Sequence, residues 1–288
     1  MDRRSVLKGG VYGVLALGAS PWVSSAKPVA GKQDKFADLE RRFGGRLGVA
    51  IHDLETGQKA GHRQDERFLM CSTFKLLEAA AILARVDKGA ESLDRRIVFG
   101  PDVLLSHAPI TRQHAGGEGM TVGELCQAAI TVSDNTAANL LLESLGGLMA
   151  FNGFLRSLGD HVTRLDRNEP TLNVAHGDLD TTSPKAMLGS VEKVMLGDAL
   201  SPASREQLAA WMKQTTTGLT AIRAGLPPAW LAGDKTGRGS HGETNDITLA
   251  WPPGRKPVLI VAYYAHPDVS DDVRSHVLAE IGRMVVDG

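Results

Sequence analysis

The apolar positions of this chain fall into strand-like runs near its two ends and helix-like runs between them. Arg46-Leu47-Gly48-Val49-Ala50-Ile51-His52-Asp53 reads as a strand, Glu55-Thr56-Gly57 as a turn, and Gln58 to Phe68 as the return strand of a hairpin. An Ala- and Leu-rich helical run opens at Cys71-Ser72-Thr73-Phe74-Lys75 and ends near Lys88-Gly89. Beyond it the signals are helical and well capped. Thr121-Val122-Gly123-Glu124 is a capping box, Asn135 to Leu145 is closed by Gly146-Gly147, and Ser183-Pro184 and Ser201-Pro202 each set a capping hydroxyl before a first-turn proline. The chain then returns to β structure. Thr244 to Trp251 and Val258 to Tyr264 read as strands joined by Pro252-Pro253-Gly254-Arg255, and Asp271 to Val286 as an amphipathic helix. The order predicts an α+β fold, an α/β/α sandwich. Its antiparallel sheet of about five strands comes from both chain ends (roughly 27–68 and 219–288) and is flanked by helices, with an all-helical lobe (roughly 69–218) inserted. No internal repeat or long linker interrupts it.

Composition narrows the class without naming a chemistry. The 288 residues are 42% hydrophobic and 23% charged, enough for a large core. A formal charge of −1 gives no basis for affinity to nucleic acid or anionic membranes, so the expected partner is a small molecule. The expected state is a monomer. Residues 1–26 combine Arg3-Arg4, a short Gly-rich apolar stretch and Ser24-Ser25-Ala26, the pattern of a twin-arginine export signal cleaved near Ala26. The apolar stretch is too short for a membrane anchor, so a periplasmic or secreted protein is expected. The two cysteines, Cys71 and Cys126, are expected as buried thiols.

Candidate chemistry begins with Ser72 and Lys75, one helical turn apart on one face. Ser-x-x-Lys also occurs at Ser5/Lys8, Ser24/Lys27 and Ser190/Lys193. The copy at Ser72 differs in its setting. It opens a strongly apolar helix, where the charged form of a lysine is disfavoured and a helix N-terminus favours developing negative charge. Three further motifs follow in order: Ser133-Asp134-Asn135 in a break between helices, Glu169-Pro170-Thr171-Leu172-Asn173 in a polar loop between Arg167 and Asp180, and Lys235-Thr236-Gly237 before a strand pattern. Each alone reads as turn, cap or surface residues. Together they require a common explanation.

The set resembles a class A serine β-lactamase, whose signature combines Ser-x-x-Lys, Ser-Asp-Asn and Lys-Thr-Gly. The resemblance implies opening of a β-lactam amide by Ser72, with the oxyanion held by the backbone N–H groups of Ser72 and Arg238. Lys235 and Thr236 would bind the substrate carboxylate, Ser133 would pass a proton to the ring nitrogen, and Asn135 would take the acylamide side chain. Glu169, with the Asn173 amide, would activate the water that releases the acyl group. Lys75 and Glu169 both stand as candidate bases for acylation. Arg167 and Asp180 resemble the ion pair that closes the family's Ω loop, in which the Glu169-Pro170 peptide would be cis. The family uses no cofactor and no metal.

Several residues depart from the pattern. The segment from Asn173 to Asp180 is shorter than usual. Arg238 stands where relatives mostly carry a small residue, and reads either as a solvent-facing side chain or as an extra cation for the substrate carboxylate. Arg274 is the rival for that role, because the arginine slot before Ile222 holds Ala221. His107 occupies what resembles the aromatic gatekeeper slot at the pocket mouth, or is a surface histidine. Gly237-Arg238-Gly239-Ser240-His241-Gly242 matches a dinucleotide fingerprint, but a strand pattern follows where that motif needs a helix. Neither His-Glu-x-x-His nor paired Cys-x-x-Cys occurs, against a zinc enzyme. A penicillin-binding D-Ala-D-Ala peptidase and a β-lactam-sensing domain are the alternative functions; Glu169 speaks against both.

Overall fold

A computed structural model describes residues 30–286; the export leader read at 1–26 lies outside them. Helix α1 (Ala30–Phe43) leads into strand β1 (Arg46–Asp53) and the short β2 (Lys59–His62). A two-residue strand β3 (Phe68–Leu69) and a tight turn at Cys71–Thr73 precede α2 (Phe74–Asp87). Strands β4 (Arg96–Ile97) and β5 (Met120–Thr121) come next, then α3 (Val122–Thr131), α4 (Asn135–Leu145) and α5 (Gly147–Ser157). Strand β6 (Thr181–Thr182), helices α6 (Pro184–Met195) and α7 (Pro202–Lys213) and the single turn α8 (Ile222–Gly225) follow. The chain closes with β7 (Leu231–Arg238), β8 (Glu243–Trp251), β9 (Val258–Ala265) and α9 (Asp271–Val286). The sheet order is β2-β1-β9-β8-β7, antiparallel throughout. The α+β sandwich with a five-stranded sheet from both ends is therefore present.

Alternation along the strands separates two cores. Leu259, Val261 and Tyr263 of β9 enter the core shared with the middle helices, whereas Val258, Ile260, Ala262 and Tyr264 enter the core under α1, α8 and α9. Helix α2 is buried from Phe74 through Ala84 on every face and forms the axis of the first core. The predicted caps recur: Thr121 and Glu124 form a reciprocal capping box, and the Ser183 and Ser201 hydroxyls accept from Ala186 and Ser204. Gly146 takes φ +102° at the end of α4, a conformation glycine adopts without a Cβ clash.

Three local expectations are corrected. The return strand read over Gln58 to Phe68 stops at His62. Arg63 turns to φ 43° and donates to Glu40 and Glu66, while Phe68 and Leu69 pair with Thr182 and Thr181 instead. The middle lobe is not all helical, since β3/β6 and β4/β5 form two ribbons beside it. Ser72 lies in a tighter 3-10 turn, Cys71–Thr73, that runs directly into α2, and Cys71 at φ 48° marks where the chain bends into that turn. Both cysteines are buried free thiols, as expected.

Glu78, one turn beyond Lys75 on α2, is fully buried, and neither carboxyl oxygen has a hydrogen-bond partner among the described residues. Burial pushes its carboxyl well above the usual range, opposed by the Lys75 ammonium and reinforced by Glu169. An unpaired buried acid opposes folding. Replacing Glu78 by Leu should raise stability by about 1–3 kcal/mol, seen as a higher urea midpoint at unchanged slope; a lowered midpoint would contradict the unpaired state.

Candidate active site

Ser72 sits where the tight turn of Cys71–Thr73 meets the edge strand β7. A side chain on Gly237 would begin 2.8 Å from the Met70 carbonyl and 3.2 Å from the Ser72 N–H, so only glycine lets the strand approach so closely. Behind the turn, the buried Asn245 amide of β8 donates to the Leu69 and Met70 carbonyls at 2.9 and 3.1 Å. The serine is thus clamped between helix and sheet before any chemistry is considered. Its hydroxyl donates to Glu169 Oε1 at 3.0 Å.

Lys75 projects from the first turn of α2 and is fully buried. The sequence suggested an apolar setting, but the structure surrounds the amine with oxygen. Nζ donates to Ser133 O at 2.9 Å, Ser133 Oγ at 3.3 Å and Asn135 Oδ1 at 2.6 Å, and lies 3.0 Å from Glu169 Oε1. A buried ammonium requires such partners. They come from two segments far apart in sequence.

The first is the break between α3 and α4. Ser133 adopts φ 59°, an uncommon value for a residue with a Cβ, and this aims its hydroxyl between Lys75 and Lys235, whose Nζ donates to it at 3.1 Å. Asp134 holds the break. Its buried carboxylate caps α4 at Ala137 N–H and also accepts from the Ile110 and Thr111 N–H groups and the Thr111 hydroxyl. His107 lies against the same break: its Nε2 donates to the Val132 carbonyl at 3.0 Å and its own carbonyl accepts from Asn135 N–H at 2.9 Å.

The second is the loop carrying Glu169. Glu169 is bound through both ends of its peptide, its N–H donating to Asn139 Oδ1 at 3.0 Å and its carbonyl accepting from Asn139 Nδ2 at 2.9 Å. The Asn173 amide donates to Glu169 Oε2 at 2.5 Å. The Glu169-Pro170 peptide is cis. Arg167 pairs with the fully buried Asp180 at 2.5 Å, and Asp180 also accepts from the Asp166 and Arg167 N–H groups, closing the loop. The shortened segment is tied across to the β7–β8 turn, where Ser240 donates to the Asn173 carbonyl from its N–H and its hydroxyl.

The third side is β7 itself, the edge strand that carries Lys235-Thr236-Gly237 just ahead of β8. Burial, assisted by the charge of Lys75, brings Lys235 down to about 7. The Thr236 hydroxyl meets that of Thr217 at 2.6 Å. Arg223 pairs with Asp234 beneath; burial raises Asp234 and Asp246, and the charge of Asp234 raises Asp246 further.

Ser72, Lys75, Ser133, Asn135, Glu169, Asn173, Lys235 and Thr236 therefore converge on one cleft. The two arginines do not point freely into it. Arg238 donates to Ser275 Oγ of α9 at 3.2 Å. Arg274 is held by the His266 and Val269 carbonyls, Asp271 and the Thr244 hydroxyl, which corrects its reading as a free cation for the substrate. Sequence reasoning missed Asn139, Thr217 and Asn245. Asn139 left one signal, a polar residue one turn beyond Asn135 within the apolar stretch Ala137–Leu142.

Comparison with known proteins agrees with this geometry. The model of the beta-lactamase enzyme family matches residues 32–288. β-Lactamase CTX-M-8 of Citrobacter amalonaticus is 44% identical over 276 residues, covering 95% of this chain and 94% of that protein. β-Lactamase L2 of Stenotrophomonas maltophilia is 48% identical over 252 residues, covering 86% and 83%. Among solved structures, an ancestral (GNCA) class A β-lactamase matches with a TM-score of 0.87 at 56% identity, over 89% of this chain and 99% of that one. This chain belongs to the class A β-lactamase family, serine enzymes that hydrolyse β-lactams through an acyl-enzyme.

Proposed function

We propose that Ser72 attacks the β-lactam carbonyl of penicillins and cephalosporins and that Glu169 drives hydrolysis of the resulting ester. The observation that carries this reading is the bridging position of Glu169. One carboxylate oxygen accepts from Ser72 and pairs with Lys75, while the other accepts from Asn173. Asn173 Oδ1 is buried without a partner among the described residues, free to accept from a water held against the carboxylate. A peptidase or a sensor domain needs acylation only; a carboxylate so placed supports the second half-reaction.

The remaining roles follow from what each group touches. In this arrangement the carboxylate, not the Lys75 amine, contacts the serine hydroxyl, which favours Glu169 as the first proton acceptor. Ser133, between Lys75 and Lys235, delivers a proton to the departing ring nitrogen. Lys235 and Thr236 anchor the substrate carboxylate, Asn135 receives the acylamide group, and the N–H groups of Ser72 and Arg238 hold the oxyanion. His107 forms a wall of the mouth. None of these roles calls for a metal or cofactor.

Among the described residues no helix is long and apolar enough to cross a membrane. The twin-arginine pattern of residues 1–26 supports export to the periplasm or beyond.

A chromogenic cephalosporin assay tests the whole reading, with multiple turnovers expected; one equivalent of product followed by arrest would overturn it. Glu169→Ala should accumulate a covalent adduct on Ser72, visible by intact mass, with deacylation slowed by about 10²–10⁴-fold. Normal turnover by that variant would remove Glu169 from the mechanism. The carboxylate anchor is pH-dependent with a defined sign. Only the ammonium form of Lys235 attracts the anion, and that form is lost as pH rises through about 7. KM for a penicillin should therefore climb above neutrality, by at most about tenfold per pH unit, with kcat less affected. A flat KM between pH 6 and 9 would contradict the assignment.

A further inference from the structure

Strand β7 places two kinds of residue on its two faces. Lys235 and Gly237 face the serine turn, as the Lys235–Ser133 bond and the close approach of Gly237 to Ser72 establish. Thr236 and Arg238 share the opposite face, two residues apart and so about 7 Å between Cα atoms. Their partners across the strand, Asp246 and Thr244, lie on that same face, toward α8 and α9. Arg238 is therefore the next side chain along the edge from the Thr236 hydroxyl.

Its guanidinium is lightly held. Apart from the bond to Ser275 Oγ, its ionic partner is Asp271 at 3.8 Å, with the side chains 39% and 67% exposed. Arg274, by contrast, is 12% exposed and bound by two carbonyls and a hydroxyl as well as by Asp271. Asp271 is the only carboxylate within ion-pair distance of either arginine among the described residues, so two cations share one exposed acid. An exposed pair of such length contributes little and exchanges readily for a better carboxylate.

We propose that Asp271 is a latch for Arg238, and that a bound β-lactam exchanges its own carboxylate for that of Asp271, bringing Arg238 beside Lys235 and Thr236 as a second anchor. Arg274 stays with the α9 turn and serves as its brace. Because an arginine keeps its charge at any working pH, this anchor limits the rise of KM as Lys235 loses its proton without abolishing it. The inference rests on the hydrolase reading, and concerns how tightly that site takes an anionic substrate.

A double-mutant cycle decides it, with benzylpenicillin and its methyl ester as substrates and thermal melting as a check on folding. Asp271→Asn should lower KM for the free acid by about two- to fivefold at unchanged kcat and leave kcat/KM for the ester unaltered. Arg238→Ala should raise KM for the acid by about tenfold, and adding Asp271→Asn to it should then change nothing. The proposal falls if Asp271→Asn leaves KM of the acid unchanged, if its effect persists in the Arg238→Ala background, which would point to Arg274, or if the ester responds equally. Absence of any turnover by the parent chain is a different result, which would remove the hydrolase reading and the latch with it.

Discussion

The buried ammonium of Lys75 is the constraint on which the site depends. A lysine with no exposed surface at the start of an apolar helix is tolerated only where oxygens surround it. Here those oxygens come from Ser133 and Asn135 of one helix break and from Glu169 of a distant loop, two segments that no local structure brings together. Satisfying one charge therefore fixes the helix break, the loop and the helix relative to one another. The same charge is also where the chemistry takes place. Ser72 shares Glu169 with Lys75, and Ser133 is shared with Lys235, so the groups that make the lysine stable are the groups to which the proposed proton transfers are assigned.

The supports of this centre are themselves polar, Asp134 and Asp180 buried and Asn139 half-buried. Asp134, Asp180 and Asn139 touch none of the reacting groups through a titrating atom, yet each binds backbone at two or more points and sets where Ser133 and Glu169 sit. Fully satisfied buried networks of this kind confer a unique geometry. Glu78 is the contrast. It lies on the same helix, equally buried, with neither oxygen paired among the described residues, and burial keeps it protonated through the ordinary carboxylate range. Glu78 is thus left without partners while Glu169 has three, Ser72, Lys75 and Asn173, which leaves Glu169 as the acid placed to pair with the lysine.

The border of the site follows a different physics. Arg238, Arg274 and Asp271 lie partly in solvent, where pair energies are small and arrangements interchangeable. This is where the chain departs from its family's pattern, and where the identity of a residue said least about what it touches. Arg274, read as a candidate for the substrate carboxylate, is instead absorbed by the His266 and Val269 carbonyls of the turn before α9 and by the Thr244 hydroxyl of β8.

By itself the sequence determined whatever local chemistry enforces. The capped helices at Thr121, Ser183 and Ser201, the closing glycines after α4, the strands of the C-terminal half and the motifs of a serine acyl-enzyme were legible because each depends on neighbours a few residues away. The tertiary structure decided what long-range pairing controls. It cut the strand after His62 by pairing Phe68 and Leu69 with Thr182 and Thr181, and it wound the start of the Ser72 helix into a 3-10 turn set against Gly237. It recruited Asn139, Thr217 and Asn245, ordinary polar residues until a distant backbone or hydroxyl group needs a partner. Hydrogen-bond satisfaction of buried groups is a property of the assembled fold, so it becomes visible only once the fold is known.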